Sequence, residues 1–382
     1  MTFLASRDLF NLAIILVFLT GTGLPLLGNV LDDSTGISTS EKRHLNTLPE
    51  APRSKKEFKR YPEKFNLYYQ DQFGFRAHLV EAYNRTKMVM GDSPSEKVIL
   101  GKNGWLFYRG IADDDLINAT RGIRKYNPPE LEQYARVLQA RYDWLAKRDI
   151  RYIFVIAPNK HTVYPEYLPD HMHQVNTDTL TDQFTDYMVR HTTVPIIDLR
   201  QPLIDSKSDG RLLYFKSDTH WNHYGSSIAQ FEIANALARS FPDQIKPVSY
   251  QADDFRVREG SGGDLSIFIG SRDQFSELYP RPKFDPCTKR PTPASGNFAE
   301  TFTTQCGKSD LNTVVFRDSF FTWLHPYISQ YFNRATFTGL PLDYSHLNKL
   351  VERHKPAVVI QQLAERSLTR VPVMDAEFLQ GE

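Results

Sequence analysis

Two short segments hold the residues whose chemistry can be read from type and spacing. Ser217-Asp218-Thr219-His220-Trp221-Asn222-His223-Tyr224-Gly225 puts a carboxylate and an imidazole two residues apart, ahead of a helical pattern. Val314-Val315-Phe316-Arg317-Asp318-Ser319-Phe320-Phe321 puts a serine just after an apolar, β-branched run and just before another helical pattern. A serine hydroxyl is a poor nucleophile until a base takes its proton. That base needs a carboxylate to fix its tautomer and steady the imidazolium. Asp218, His220 and Ser319 supply acid, base and nucleophile in that chain order. Such a triad is defined by geometry, so the order is no obstacle.

Each residue also has a plainer reading. Ser319 alone reads as a helix N-cap, a position serine suits. At a strand-to-helix turn its amide would also help hold the oxyanion of an acyl intermediate. His223 competes with His220, and the two histidines would make half a metal site, but no third ligand stands out. No CxxC or Cys/His cluster suggests zinc. No metal and no cofactor is therefore expected. Asp318 reads as a turn or cap residue.

The elements that must position these groups alternate along the chain. Tyr152-Ile153-Phe154-Val155-Ile156-Ala157 is continuously apolar, as in a strand buried on both faces of a parallel sheet. Similar runs recur at 194–198, 313–316, 335–338 and 357–360. Helical patterns separate most of them, at 176–191, 224–240, 320–333 and 345–354. A further helix is predicted over 129–147, opened by Pro128 and Pro129, where proline is tolerated. This alternation implies an α/β three-layer sandwich with a mostly parallel sheet. Function in such sheets gathers at the carboxyl ends of strands. Asn159, Lys160 and Ser319 all sit just past such ends. Residues 58–91 read as helix with an aromatic knot at Tyr68, Tyr69, Phe73 and Phe75. Asn103-Gly104 between apolar flanks predicts a hairpin over 98–108. Residues 245–310 read as an irregular insertion or lid.

The chain has 382 residues and a formal net charge of +1, which disfavours a uniformly basic nucleic-acid protein, so no nucleic-acid partner is expected. Its two cysteines, Cys287 and Cys306, share the irregular stretch. In an oxidising compartment they are expected to pair, closing a loop worth roughly 3 kcal/mol in the chain-entropy model. The alternative is two free thiols. Residues 9–27 are mostly apolar and uncharged, and as a helix would span roughly 28 Å, about one hydrocarbon core. Arg7 precedes the run and the next basic residue is Lys42, which favours an exported body. The segment 1–28 is read as an uncleaved signal anchor in preference to a removed signal peptide or a core helix. Residues 29–57 are read as a linker and 58–382 as the catalytic domain.

The Asp-Thr-His-Trp-Asn segment with the later Asp-Ser-Phe resembles the SGNH-hydrolase-like domain of bacterial polysaccharide O-acetyltransferases, of which the alginate O-acetyltransferases of the AlgJ/AlgX type are the best known. Asp71-Gln72-Phe73-Gly74-Phe75-Arg76, Gly101-Lys102-Asn103-Gly104-Trp105-Leu106-Phe107-Tyr108 and Ala157-Pro158-Asn159-Lys160 are similar to the same family. The likeness runs from about Glu41 to about Leu363. Arg317 departs from it, standing where a glycine is more usual.

The resemblance implies an SGNH-like fold and transfer of acetyl groups to an exported polysaccharide through Ser319, His220 and Asp218. Asn159 and Lys160 become candidates for a second oxyanion donor. Arg317 becomes a candidate to hold an acidic sugar, and Trp221, Tyr164 and Tyr167 to stack on a sugar ring, although packing is the plainer reading of each. The implied partners are a polysaccharide acceptor and a multi-pass membrane acyltransferase that supplies acetyl. The implied location is the bacterial inner membrane, with the body in the periplasm. An acetylesterase on the same residues is the alternative, and a non-catalytic polysaccharide-binding or export protein is a third reading.

Overall fold

The structure is a computed structural model that describes residues 2–31, 36–38, 43–110, 115–289 and 301–380. It divides into two compact units: Met1–Ser95 with Ser266–Gln274, and Glu96–Leu265 with Phe275–Glu382.

The first unit is helical. α1 spans Thr2–Leu31, α2 Lys55–Asp71 and α3 Arg76–Val89. The single helix read over 58–91 is thus two. The break spans Gln72, the C-cap of α2, to Phe75, the N-cap of α3, whose φ of 59° lies in the left-handed region. Asp71 is buried and accepts from the Asn46 backbone N–H (2.8 Å) and side-chain amide (2.6 Å). Apolar side chains from Leu9 to Leu19 of α1 are exposed. Among the described residues, no helix is long and apolar enough to cross a membrane. Part of the segment read as a linker, residues 32–35 and 39–42, lies outside the described residues.

The second unit is built on a seven-stranded sheet. In chain order its β-elements are β1 (Val98–Leu100), β2 (Leu106–Tyr108), β3 (Arg151–Ala157), β4 (Ile196–Asp198), β5 (Phe255–Ser261), β6 (Ser276–Pro282), β7 (Thr288–Lys289), β8 (Phe302–Gln305), β9 (Asn312–Phe316), β10 (Arg334–Thr338) and β11 (Val358–Ala364). The sheet order is β4-β3-β11-β9-β10-β8-β7. The first five are parallel; β8 and β7 add antiparallel. The mostly parallel sheet expected from the apolar runs is therefore a mixed one. The antiparallel strands come from the stretch read as irregular, and Phe302-Thr303-Thr304-Gln305 lacks the continuous apolarity of the central strands. β5 and β6 pair into a separate hairpin. Residues 290–300 of this stretch lie outside the described residues.

The strand side chains alternate between two cores. Ile153, Val155, Ala157 and Val315 enter one; Tyr152, Phe154, Ile156 and Val314 enter the other. This explains the unbroken apolarity: both faces are covered. The helices α4 (Pro128–Ala146), α5 (Leu180–His191) and α8 (Tyr344–His354) contribute to the core of Tyr152 and Phe154. The helices α6 (His223–Ala238) and α7 (Phe321–Ile328) contribute to the other. Asn127 caps α4 in a reciprocal capping box with Glu130, just ahead of the prolines. β1 and β2 form the predicted hairpin, with Asn103 (φ 54°) and Gly104 (φ 77°) both left-handed, although the connecting loop exceeds two residues. Cys287 and Cys306 form a disulfide, Cα to Cα 4.8 Å, beside the β7–β8 pair.

Candidate active site

Ser319 lies three residues beyond β9, at the carboxyl edge of the parallel strands. It is not a helix cap: α7 starts at Phe321 with Phe320 in the cap position. Its hydroxyl instead sits 2.7 Å from His220 Nε2. The turn is held by Asp318. Its Oδ1 accepts from the Phe320 backbone N–H and the Gln362 side-chain amide, both at 2.9 Å, and its Oδ2 accepts from the Ala364 backbone N–H at 2.5 Å. Arg317, Asp318 and Ser319 are absent from the positive-φ residues, so the turn needs no glycine where Arg317 stands.

His220 and Asp218 sit on the loop before α6. His220 Nδ1 lies 2.7 Å from Asp218 Oδ1, which also accepts the His220 backbone N–H at 3.0 Å. Asn222 then caps α6, accepting from the Tyr224 and Gly225 N–H groups. Trp221 is fully buried and its indole N–H donates to the Phe320 carbonyl at 2.9 Å, linking the His220 loop to the Ser319 turn.

The loop is clamped by three residues distant in sequence. The Lys160 ammonium is buried and donates to the carbonyls of Phe215 (3.0 Å), Lys216 (2.9 Å) and Asp218 (2.6 Å). Glu277, on β6, is buried and accepts from the backbone N–H and hydroxyl of Ser217, both at 2.5 Å, and from the Lys216 N–H. Asp264 donates its backbone N–H to Asp218 Oδ2 (3.0 Å) and accepts the Thr219 backbone N–H (2.7 Å). Its Oδ2 lies 3.9 Å from His220 Nδ1.

The electrostatics separate the two aspartates. Burial pushes the Asp218 carboxyl up, but the hydrogen bond and charge of His220, with the N–H groups of Asp264 and His220, prevail and hold it down at about 2. Burial and the Asp218 charge push the Asp264 carboxyl up. Asp218 is therefore the ionised partner of the imidazole. Burial draws the Lys160 ammonium down to about 8, against the opposing pull of Asp218, Asp264 and Glu277.

Several sequence-predicted residues stand elsewhere than expected. Lys160 has its ammonium turned onto the three loop carbonyls of Phe215, Lys216 and Asp218. Asn159 is buried, its backbone N–H given to Glu365 Oε2 at 2.8 Å. Tyr164 is buried, accepts the Leu213 N–H (2.9 Å) and packs 4.6 Å from Trp105, so neither it nor Trp221 offers a face to a sugar. Tyr167 is stacked on Trp105 at 4.5 Å. Arg317 lies over the Phe302 ring at 5.5 Å. His223 is buried against Trp323 and Tyr327, and burial takes its imidazole down to about 3, so it stays neutral. Asp218, His220 and Asp264 offer ligand atoms close enough together to hold a metal ion. The ring nitrogen that a cation would need there is engaged by Asp218.

Sequence reading missed Asp264 and Glu277. Their only local signal is the Gly262-Gly263 pair ahead of Asp264, in a segment without periodicity.

Comparison with known proteins gives the fold and the ancestry. The family described as SGNH hydrolase-like domain, acetyltransferase AlgX, matches residues 98–309, a span that holds Asp218 and His220 and ends before Ser319. A probable alginate O-acetylase AlgJ of Pseudomonas syringae pv. tomato is 26% identical over 233 residues, covering 61% of this chain and 56% of the relative. Its counterpart in Pseudomonas fluorescens is 28% identical over 221 residues, covering 57% and 51%. The chain thus spans about half the length of the curated relatives it matches. The solved structure of Bacillus cereus PatB1 superposes with a TM-score of 0.52 at 16% identity, over 71% of this chain and 98% of that one, a likeness of fold. With a family match over more than half its residues, the chain belongs to the family of the SGNH hydrolase-like domain of acetyltransferase AlgX.

Proposed function

We propose that this protein is a serine-dependent O-acetyltransferase acting on a polysaccharide. One observation carries the reading: His220 reaches Ser319 with Nε2 and Asp218 with Nδ1, each at 2.7 Å. His220 Nε2 takes the Ser319 proton as Oγ bonds to the acetyl carbon of a donor ester. The tetrahedral intermediate collapses as the donor's leaving oxygen takes that proton, leaving acetyl-Ser319. A sugar hydroxyl then gives its proton to Nε2 and attacks the acetyl carbon. The bond to Oγ breaks, and Oγ regains the proton from the imidazolium. Asp218 keeps the imidazole in the required tautomer throughout. The Ser319 backbone N–H is the candidate oxyanion donor of the turn, since the Phe320 N–H is given to Asp318 Oδ1.

The acceptor class follows the relatives named as alginate O-acetylases, and a membrane acyltransferase that delivers acetyl is the proposed partner. Export, with the N-terminal segment held at the inner membrane, is supported by the exposed apolar side chains from Leu9 to Leu19. A periplasm-active reporter fused after Glu382 tests it: a reporter active only in the cytoplasm rejects export.

The chemistry is tested with a neutral activated acetyl ester. A burst followed by turnover is expected, with acetyl captured on Ser319, and an added glycan should divert acetyl from water to sugar. Undiminished activity in Ser319→Ala rejects the serine mechanism. Acetate as the sole product with every glycan replaces transferase by esterase.

A further inference from the structure

Arg366 stands just past β11, on the same strand edge as Ser319. Its guanidinium lies 5.2 Å from the Phe320 ring and 5.5 Å from the Tyr108 ring. Among the described residues its side chain makes no ion pair and no hydrogen bond. The adjacent Glu365 does not neutralise it. That carboxylate is buried and accepts from the Asn159 backbone N–H (2.8 Å), the Thr162 hydroxyl (2.6 Å) and the Thr181 hydroxyl (3.1 Å).

A half-buried guanidinium is partly desolvated, so an anion beside it would be favoured. Contacts with rings satisfy none of the guanidinium's five N–H donors, which form a planar fork matched to a carboxylate. The position says where that carboxylate would sit. Phe320 follows Ser319 in the chain, and its ring lies 5.0 Å from the His220 ring. Arg366 and His220 therefore flank one phenyl ring. The cavity beside Arg366, lined by Tyr108, Asn159 and Thr219 among others, measures about 10 Å³, too small to hold a sugar. An acetyl ester and acetyl-serine are both neutral. Assigned to the acceptor, the anion would lie beside the Phe320 ring that His220 also contacts, which suits a sugar whose carboxylate and reacting hydroxyl sit on the same ring.

We infer that Arg366 binds the carboxylate of an acidic sugar residue in the acceptor and so sets which hydroxyl meets Ser319. This rests on the acetyl-transfer reading for its purpose, though not for its binding chemistry.

Binding measured with turnover blocked separates the two. In Ser319→Ala, calorimetry compares an alginate oligosaccharide with the same oligosaccharide whose carboxyl groups are reduced to alcohols. The acidic form should bind roughly 10-fold more tightly. Adding Arg366→Gln should remove that difference, and Arg366→Lys should keep part of it, since the charge remains without the fork. No preference for the acidic form in Ser319→Ala overturns the inference. So does equal weakening of both forms by Arg366→Gln, or a preference that Arg366→Gln and Arg366→Lys both leave intact. Absence of acetyl-Ser319 in the unaltered protein rejects the transferase reading instead, while a preference lost with Arg366 would still establish the carboxylate site.

Discussion

The backbone N–H of Asp264 donates to Asp218 Oδ2 at 3.0 Å, while the Asp264 carboxylate, 3.9 Å from His220 Nδ1, accepts the Thr219 N–H. Two aspartates thus share one imidazole's surroundings, and only one of them faces it at hydrogen-bond distance. The close approach depends on Gly263. A Cβ there would fall 2.3 Å from Asp218 Cβ and 2.4 Å from its Oδ2. Gly263→Ala should push Asp218 off the imidazole and lower kcat by ~100-fold, the usual cost of misplacing a catalytic group by about an ångström. Steady-state kinetics with an activated acetyl ester read this directly. An alanine variant with full activity would show that the loop relaxes without moving Asp218.

Substituting the two aspartates should have opposite effects on stability. The Asp218 carboxyl lies near 2 in the folded chain against 3.8 ordinarily, so its contribution is present above 3.8 and is lost as pH falls from 3.8 to about 2. Asp264 is shifted upward, so its ionised form costs stability at neutral pH, and protonation relieves that cost as pH falls through the raised value. Asp218→Asn should therefore lower Tm at pH 7 and slow acylation by ~10⁴-fold through the wrong imidazole tautomer. Asp264→Asn keeps an acceptor for Thr219 and should leave Tm equal or higher. Thermal melts at pH 7 decide it, and a larger loss for Asp264→Asn contradicts the assignment.

Lys160→Met would strip the carbonyls of Phe215, Lys216 and Asp218 of their shared donor, at a cost of roughly 3 kcal/mol. The pH dependence identifies the cause. The folded ammonium titrates near 8 against 10.5 ordinarily, so the cost of burying its charge is full below 8 and is relieved as pH rises from 8 to 10.5. Urea melts across that range should show this rising component in the unaltered chain and not in Lys160→Met. The same slope in both would place the titration elsewhere.

Cys287 and Cys306 close a loop with a sequence separation of 19 at the β7–β8 edge of the sheet. Replacing both by serine should cost roughly 3 kcal/mol, seen as a lower urea midpoint with little change in slope. Because the pair lies at the sheet edge opposite β4, the acetyl-ester burst should persist in the folded variant.

The sequence exposed the central strands because burial on both faces leaves an unbroken apolar run, as in Tyr152–Ala157. It exposed Asp218, His220 and Ser319 because their chemistry is unusual in combination. It concealed the clamp. Glu277 reaches Ser217 across a separation of 60 residues and Asp264 reaches Asp218 across 46, distances over which no periodicity survives. Lys160 was visible as a residue but not in its orientation, since its partners are backbone carbonyls, which every residue has. Trp221 and Tyr164 show the same limit. An aromatic side chain in a site's neighbourhood suits a sugar or a core equally, and only the buried indole–carbonyl bond from Trp221 to Phe320 decides for the core. β7 and β8 were missed because short strands without a continuous apolar run look like loop.

The tie from Asp318 to Ala364 also makes the setting of Ser319 depend on the last strand of the sheet. His220 precedes Ser319 by 99 residues, so a chain emerging from the ribosome presents the imidazole well before the hydroxyl. The serine's turn is then fastened to the last strand of the sheet, through Gln362 and Ala364. A nascent chain or one truncated before Val358 carries a histidine without its serine, or a serine on an unfastened turn. On the proposed serine mechanism, a primed Ser319 hydroxyl is thereby expected only in the finished fold.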